Sequence, residues 1–146
     1  MPLISVTRLR IRSFVYLPQF VWHTFQATRQ AQRAPGFVGG KLMREAGNVF
    51  WTLTAWQEGA AMSAFRIRGA HGGVMPRLLD WCDEASVAHW HQESGEIPSW
   101  IDAHQRLLTL GRPSKVKHPT AAHLAHQIPV PRPGRIQGPL ERLNSS

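Results

Sequence analysis

From Ser5 to Ser13 the chain alternates, with Thr7, Leu9 and Ile11 on one side and Val6, Arg8, Arg10 and Arg12 on the other. A period of two predicts a β-strand, here with one apolar face and one largely cationic face. The period then changes. Over 18–34, Leu17, Val21, Thr24, Thr28 and Ala31 form one stripe with Phe20 and Ala27 beside it, the spacing of a helix packed on a sheet. Pro18 suits the first helical turn, where its missing N–H costs little, and Pro35 and Gly36 end the helix.

Two strand-like runs follow, Phe37 to Glu45 and Val49 to Gln57, separated by Ala46, Gly47 and Asn48, residues that tolerate the positive φ of a tight turn. The second run is apolar on both sides. Phe50, Thr52, Thr54 and Trp56 share one face, while Val49, Trp51, Leu53 and Ala55 share the other. Helical spacing returns from Glu58 to Ala70, breaks at His71, Gly72 and Gly73, and resumes from Val74 through Cys82, with Pro76 in its first turn. A last alternating stretch, Ala85 to Gln92, places His89 and His91 on one face. Strand, helix, strand therefore runs twice between Ile4 and Gln92, with no nucleotide fingerprint at either turn. The predicted fold is α+β, a ferredoxin-like βαββαβ domain with an antiparallel sheet, over residues 1–93.

Residues 94–118 read as an extension that packs on this domain. Ser99, three residues before Asp102, starts a short helix through Trp100, Ala103, Leu107 and Leu110, stopped by Gly111 and Pro113. Residues 119–146 hold five prolines in 28 residues, few aliphatics and no stable period, which predicts an extended or flexible tail. A sheet with helices on one face needs cover on the other. The expected source is a second copy of the chain, with a pocket between the copies. In such a homodimer the Arg8, Arg10 and Arg12 guanidinium groups would need counter-ions, for which a substrate carboxylate, enolate or phosphate is suited.

Composition narrows the functional classes. A chain of 146 residues, 42% hydrophobic, supports one core of ordinary domain size. Seventeen Lys and Arg against nine Asp and Glu give a net charge of +8, yet the cations are spread from Arg8 to Arg142 without a run, which argues against nucleic acid as a partner. The lone Cys82 excludes an intrachain disulfide and any multi-cysteine metal site, and it points to a reducing, cytoplasmic setting. Asp83 and Glu84 beside it disfavour a reactive thiolate. The arginines interleaved at the N-terminus leave neither a signal-peptide core nor a membrane span. A phosphate-binding glycine loop, a nucleophile elbow and paired catalytic carboxylates are all missing from the sequence.

The run APGFVGGKLMREAGNVFWTLTAW over 34–56, followed by an acidic helix start, Met62, Phe65 and then Gly69, Ala70 and His71, resembles the dimeric α+β barrel superfamily around the antibiotic biosynthesis monooxygenases. Within it the chain looks closest to the branch similar to spheroidene monooxygenase. The resemblance covers about residues 3 to 92. It implies a homodimer, and either a cofactor-independent oxygenase of flat aromatic molecules, a haem-containing oxygenase, or a binding module without turnover. In haem-degrading members a histidine late in the second helix holds the iron. Met75 stands there in this chain, with His71 one helical turn earlier, so no cofactor is predicted and haem stays open through His71.

The candidate catalytic residues are Arg10 and Arg12, to stabilise a developing oxyanion, and His23 and His71, to take a proton. Trp22 and Trp51 are candidates to line a pocket for an apolar or aromatic ligand. His89 and His91 lie two apart on a strand, but no carboxylate stands at ligand spacing to complete a metal site.

Overall fold

The computed structural model describes residues 1–66, 76–132 and 136–143. The elements are β1 (Leu3–Ile11), a 3-10 turn (Phe14–Tyr16), α1 (Leu17–Arg33), β2 (Phe37–Glu45), β3 (Val49–Trp56) and α2 (Gly59–Arg66). They continue with a helix described over 76–81 (α3), β4 (Cys82–His91), α4 (Trp100–Leu110), β5 (Arg112–Pro113), α5 (Ala121–Leu124) and β6 (Ile136–Leu140). The strands form one sheet in the order β5-β4-β1-β3-β2-β6, and every pairing is antiparallel. The inner four, β4-β1-β3-β2, are the ferredoxin-like arrangement that the two strand-helix-strand passes predict.

Local chemistry sets the boundaries. Pro18 lies in the first turn of α1, and Gly36 takes a φ of 83° just beyond its end. Gly47 and Asn48, with φ of 84° and 63°, turn the β2–β3 hairpin. The Ser99 hydroxyl accepts a hydrogen bond from the Asp102 backbone N–H at 3.1 Å and caps α4.

Both sheet faces are buried within the chain. On one face, Phe20 and Ala31 of α1, Met62 of α2 and Trp81 of α3 pack against Leu3, Ile11, Phe37 and Trp56 of the sheet. On the other, Trp100, Ala103 and Leu107 of α4 close over Ile4, Val6, Trp51, Leu53, Ala88 and Trp90. The sequence predicts a second subunit as the cover for this face. The cover is α4 instead, because Trp100, Ala103 and Leu107 recur at helical spacing and present one apolar stripe to this face.

The tail also departs from expectation. Residues predicted to be extended or flexible include the helix α5, whose buried His123 contacts the Ser114 carbonyl through Nε2 at 2.8 Å and accepts at Nδ1 from the Ala85 N–H at 3.3 Å. They also include β6, which adds to the β2 edge from Gly40↔Leu140 to Arg44↔Ile136. Proline-rich strands at a sheet edge need no internal period, since pairing comes from the neighbouring strand.

β4 starts at Cys82, three residues before the predicted Ala85. The reason is electrostatic pairing across β1 and β4. Arg8 donates to Glu84 at 2.7 Å and Arg10 to Asp83 at 2.7 Å. Arg12 donates from Nε to the Asp80 carbonyl at 2.6 Å and approaches its carboxylate at 3.4 Å.

Candidate functional site

Between α1, α2, α3 and the sheet lies a cavity of about 720 Å³, inside the range that holds a drug-sized ligand. It exists because the middle of the sheet is under-filled. At this level β1 contributes Ser5 and Thr7 and β3 contributes Thr52 and Thr54, while α1 opposite offers only Thr24, Ala27 and Thr28. These short side chains separate two dense clusters. At one end Phe20 meets Phe50 with ring centroids 4.6 Å apart, beside Leu78 and Leu79. At the other, Trp56 packs against Phe65 at 5.2 Å and Phe37 at 5.3 Å, beside Met62.

Three ionisable side chains line the cavity among the described residues: His23, Arg44 and His89. Not one Asp, Glu or Lys joins them. His23, on α1, has its ring 5.6 Å from that of Trp81, and its Nδ1 is buried with no hydrogen-bond partner. Arg44, on β2, sits over the Phe50 ring at 5.3 Å from the centroid. His89 is exposed, on β4. An imidazole in an apolar wall with an unused ring nitrogen is chemically suited to accept or pass a proton.

The residues singled out from sequence divide as follows. His23 lines the cavity. Trp51 borders it only through its strand, since its ring lies on the opposite face, 6.3 Å from that of Trp100. Trp22 is exposed and stacks on Phe25 outside the cavity. Arg10 and Arg12 do not line the cavity and are already paired with Asp83 and Asp80, so the counter-ions that the sequence assigns to a substrate are supplied by β4 and α3. His71 and Met75 lie outside the described residues. His91 is exposed and does not join His89 in the cavity. No group of three or more His, Cys, Asp or Glu among the described residues is arranged to hold a metal ion. Cys82 is fully buried, and burial together with the Asp83 carboxylate pushes its thiol up to about 12.

Sequence reasoning misses Arg44. The signal is present in the hairpin register, which places Arg44 opposite Phe50 and on the face of Leu42, the face the helices cover. The Ser5, Thr7, Thr52 and Thr54 floor is likewise legible only once β1 and β3 are known to pair, Ser5↔Thr54 and Thr7↔Thr52.

Among solved structures, three similar chains illustrate the match. SnoaB from Streptomyces nogalater, described as a cofactor-independent oxygenase, is 16% identical with a TM-score of 0.54, over 64% of this chain and 94% of its own. A protein from Nitrosomonas europaea, described as a putative antibiotic biosynthesis monooxygenase, is 14% identical with a TM-score of 0.56, over 63% and 90%. Rv0793 from Mycobacterium tuberculosis is 10% identical with a TM-score of 0.58, over 64% and 97%. At such identities the likeness establishes the fold, and the resemblance read from residues 34–56 is borne out at that level. No curated protein is a significant match. The family described as Domain of unknown function (DUF3291) matches residues 16–132. Among the described residues, no helix is long and apolar enough to cross a membrane.

Proposed function

The chain belongs to the DUF3291 family, and we propose that it binds a flat apolar or aromatic small molecule in the cavity between α1 and the sheet and acts on it as a cofactor-independent monooxygenase. The observation that carries this reading is the cavity itself: apolar walls, a hydroxyl-bearing floor, and His23 as an imbedded imbalance of polarity in one wall. The fold shared with SnoaB supports the oxygenase half of the reading.

The chemistry follows from the residues present. A carbon acid held against the aromatic ends loses a proton to His23, and the carbanion reduces dioxygen directly. For a methylene substrate both C–H bonds break, one oxygen atom becomes the carbonyl, and the other leaves as water. Dioxygen is the oxidant, so the balance closes without a further reductant. The Ser and Thr hydroxyls hold polar atoms of the ligand in register.

Two measurements test this. Calorimetric titration with 2-naphthamide, a flat neutral probe, should show binding to the wild type and at least a tenfold loss in Ala27→Trp, whose indole would project into the middle of the cavity. With anthrone as a flat carbon acid, an oxygen electrode should record one dioxygen consumed per substrate, and His23→Ala should lose most of that rate. Binding without oxygen uptake would make the protein a binding module. No binding at all would sink both.

A further inference from the structure

Resting on the cavity reading above, we infer that the ligand is a monoanion: a flat apolar molecule carrying one delocalised oxyanion, a carboxylate, phenolate or enolate, which Arg44 binds.

Arg44 differs from Arg8, Arg10 and Arg12 in what surrounds it. Arg8, Arg10 and Arg12 each meet a carboxylate, Glu84, Asp83 and Asp80. Arg44 meets none among the described residues; its one recorded partner is the face of Phe50. A ring beneath a guanidinium orients its plane and contributes some attraction, but it satisfies none of the five N–H donors, which need an oxygen acceptor. The side chain is half-buried at the wall of an apolar cavity, where an unpaired charge exerts a stronger field than in bulk water.

The geometry also holds the group still. Arg44 lies inside the sheet, between Phe50 of β3 and Ile136 of β6, so its backbone is fixed on both sides. Phe50 is in turn braced by Phe20. A planar fork held in this way fits the two oxygens of a carboxylate, or one oxygen of a phenolate or enolate.

The rest of the lining limits the charge of the ligand. Among the described residues Arg44 is the one permanent cation of the lining, so a second negative group would find hydroxyls but no second charge beside it. The described lining therefore favours a monoanion over polyphosphates and dicarboxylates. An enolate is also the form that a carbon acid takes after losing its proton, so the same guanidinium would favour the ionised state of the proposed substrate.

The test compares 2-naphthoate with 2-naphthamide, which share a ring system and differ in charge. On the wild-type protein at pH 8 in low salt, naphthoate should bind about tenfold more tightly, the effect of one charge-assisted contact. In Arg44→Gln that preference should vanish while naphthamide affinity stays within about twofold, and Arg44→Lys should retain part of it. Equal affinity for the two probes on the wild type, or a preference that survives Arg44→Gln, overturns the role of Arg44 and leaves the cavity reading standing. If neither probe binds, the cavity reading fails and this one fails with it. Should Arg44→Gln fail to fold, Arg44→Lys reads the same role: a reduced preference for naphthoate supports it and an unchanged one overturns it.

Discussion

Replacing Glu84 by Gln should destabilise the protein by about 3–5 kcal/mol, the cost of leaving one partner of a buried ion pair alone. Arg8 and Glu84 are 5% and 9% exposed, so neither charge is screened by water. One Glu84 oxygen accepts from Arg8 Nη1 at 2.7 Å and the other from the Thr120 hydroxyl at 2.8 Å. Gln keeps the shape and can still bond Thr120, so the variant isolates the charge. Arg8 Nε is already buried without a partner, and among the described residues Glu84 is the carboxylate that pairs with this guanidinium. Urea unfolding followed by tryptophan fluorescence reads the loss directly, and for a chain of this size the melting temperature should fall by about 10 °C. The double variant Arg8→Met/Glu84→Leu should be closer to wild type than Glu84→Gln, since removing both charges removes the penalty.

The same pair has a pH signature. Burial alone would raise the Glu84 pKa, but the hydrogen bonds from Arg8 and Thr120 and the charges of Arg8 and Arg10 outweigh it, and the net shift is downward from 4.5. A carboxyl whose folded pKa is depressed contributes stability above its unfolded value and loses it as pH falls through the folded one. The difference in stability between wild type and Glu84→Gln should therefore be constant above about pH 5 and shrink below 4.5. Asp83 acts in the opposite sense, because burial and the Glu84 carboxylate raise its pKa from 3.8 despite Arg10, and Glu84→Gln removes the second of these causes, so the Asp83 contribution also weakens in the variant. A loss under about 1 kcal/mol, the range of an exposed pair, with no change below pH 4.5, would refute the buried pairing of β1, β4 and α5.

Three further outcomes follow from the packing. Cys82, fully buried with its thiol at about 12, should not react with Ellman's reagent at pH 8 in the native protein and should react at once in urea. Gly40→Ala should cost about 1–3 kcal/mol by urea unfolding, because the new Cβ would stand close to backbone atoms of β3, with Leu53 C and Thr54 Cα each 3.2 Å away and neither able to yield. Ser99→Ala should cost about 1 kcal/mol by the same assay, the value of the lost α4 cap.

Periodicity carries the fold a long way and then stops. β2 runs over the predicted Phe37 to Glu45, and α4 begins after Ser99 and ends at Gly111 as the capping chemistry requires. These features are written within a few residues of one another. The departures are all written far apart in the chain. Arg8 finds Glu84 across 76 residues, Arg10 finds Asp83 across 73, and Gln32 Nε2 donates to the Glu141 carbonyl across 109. A strand rich in arginine reads as an exposed or ligand-binding face until the acidic residues opposite it are known. Arg44 is half legible: the hairpin register places it on the face of Leu42 opposite Phe50, but that no carboxylate meets it among the described residues shows only in the folded chain.

The two faces of the sheet explain where a site can be. On the α4 side Trp51, Trp90 and Trp100 fill the space beneath the helix, and Ile97 and Ile128 pack at its margin. The chain thus closes by itself a face that could otherwise have bound something. On the α1 side large side chains gather at both ends and small ones occupy the middle. The space of about 720 Å³ is partly open to solvent, so it is filled by water or by a ligand. The threonines and serines of the floor give water partners to bind, while the aromatic ends give it none, so a flat apolar molecule with one polar edge displaces the least well-held water and keeps the hydroxyl contacts. Under-packing between two dense clusters therefore leaves space on the α1 side of the sheet, while the α4 side is filled by its own side chains.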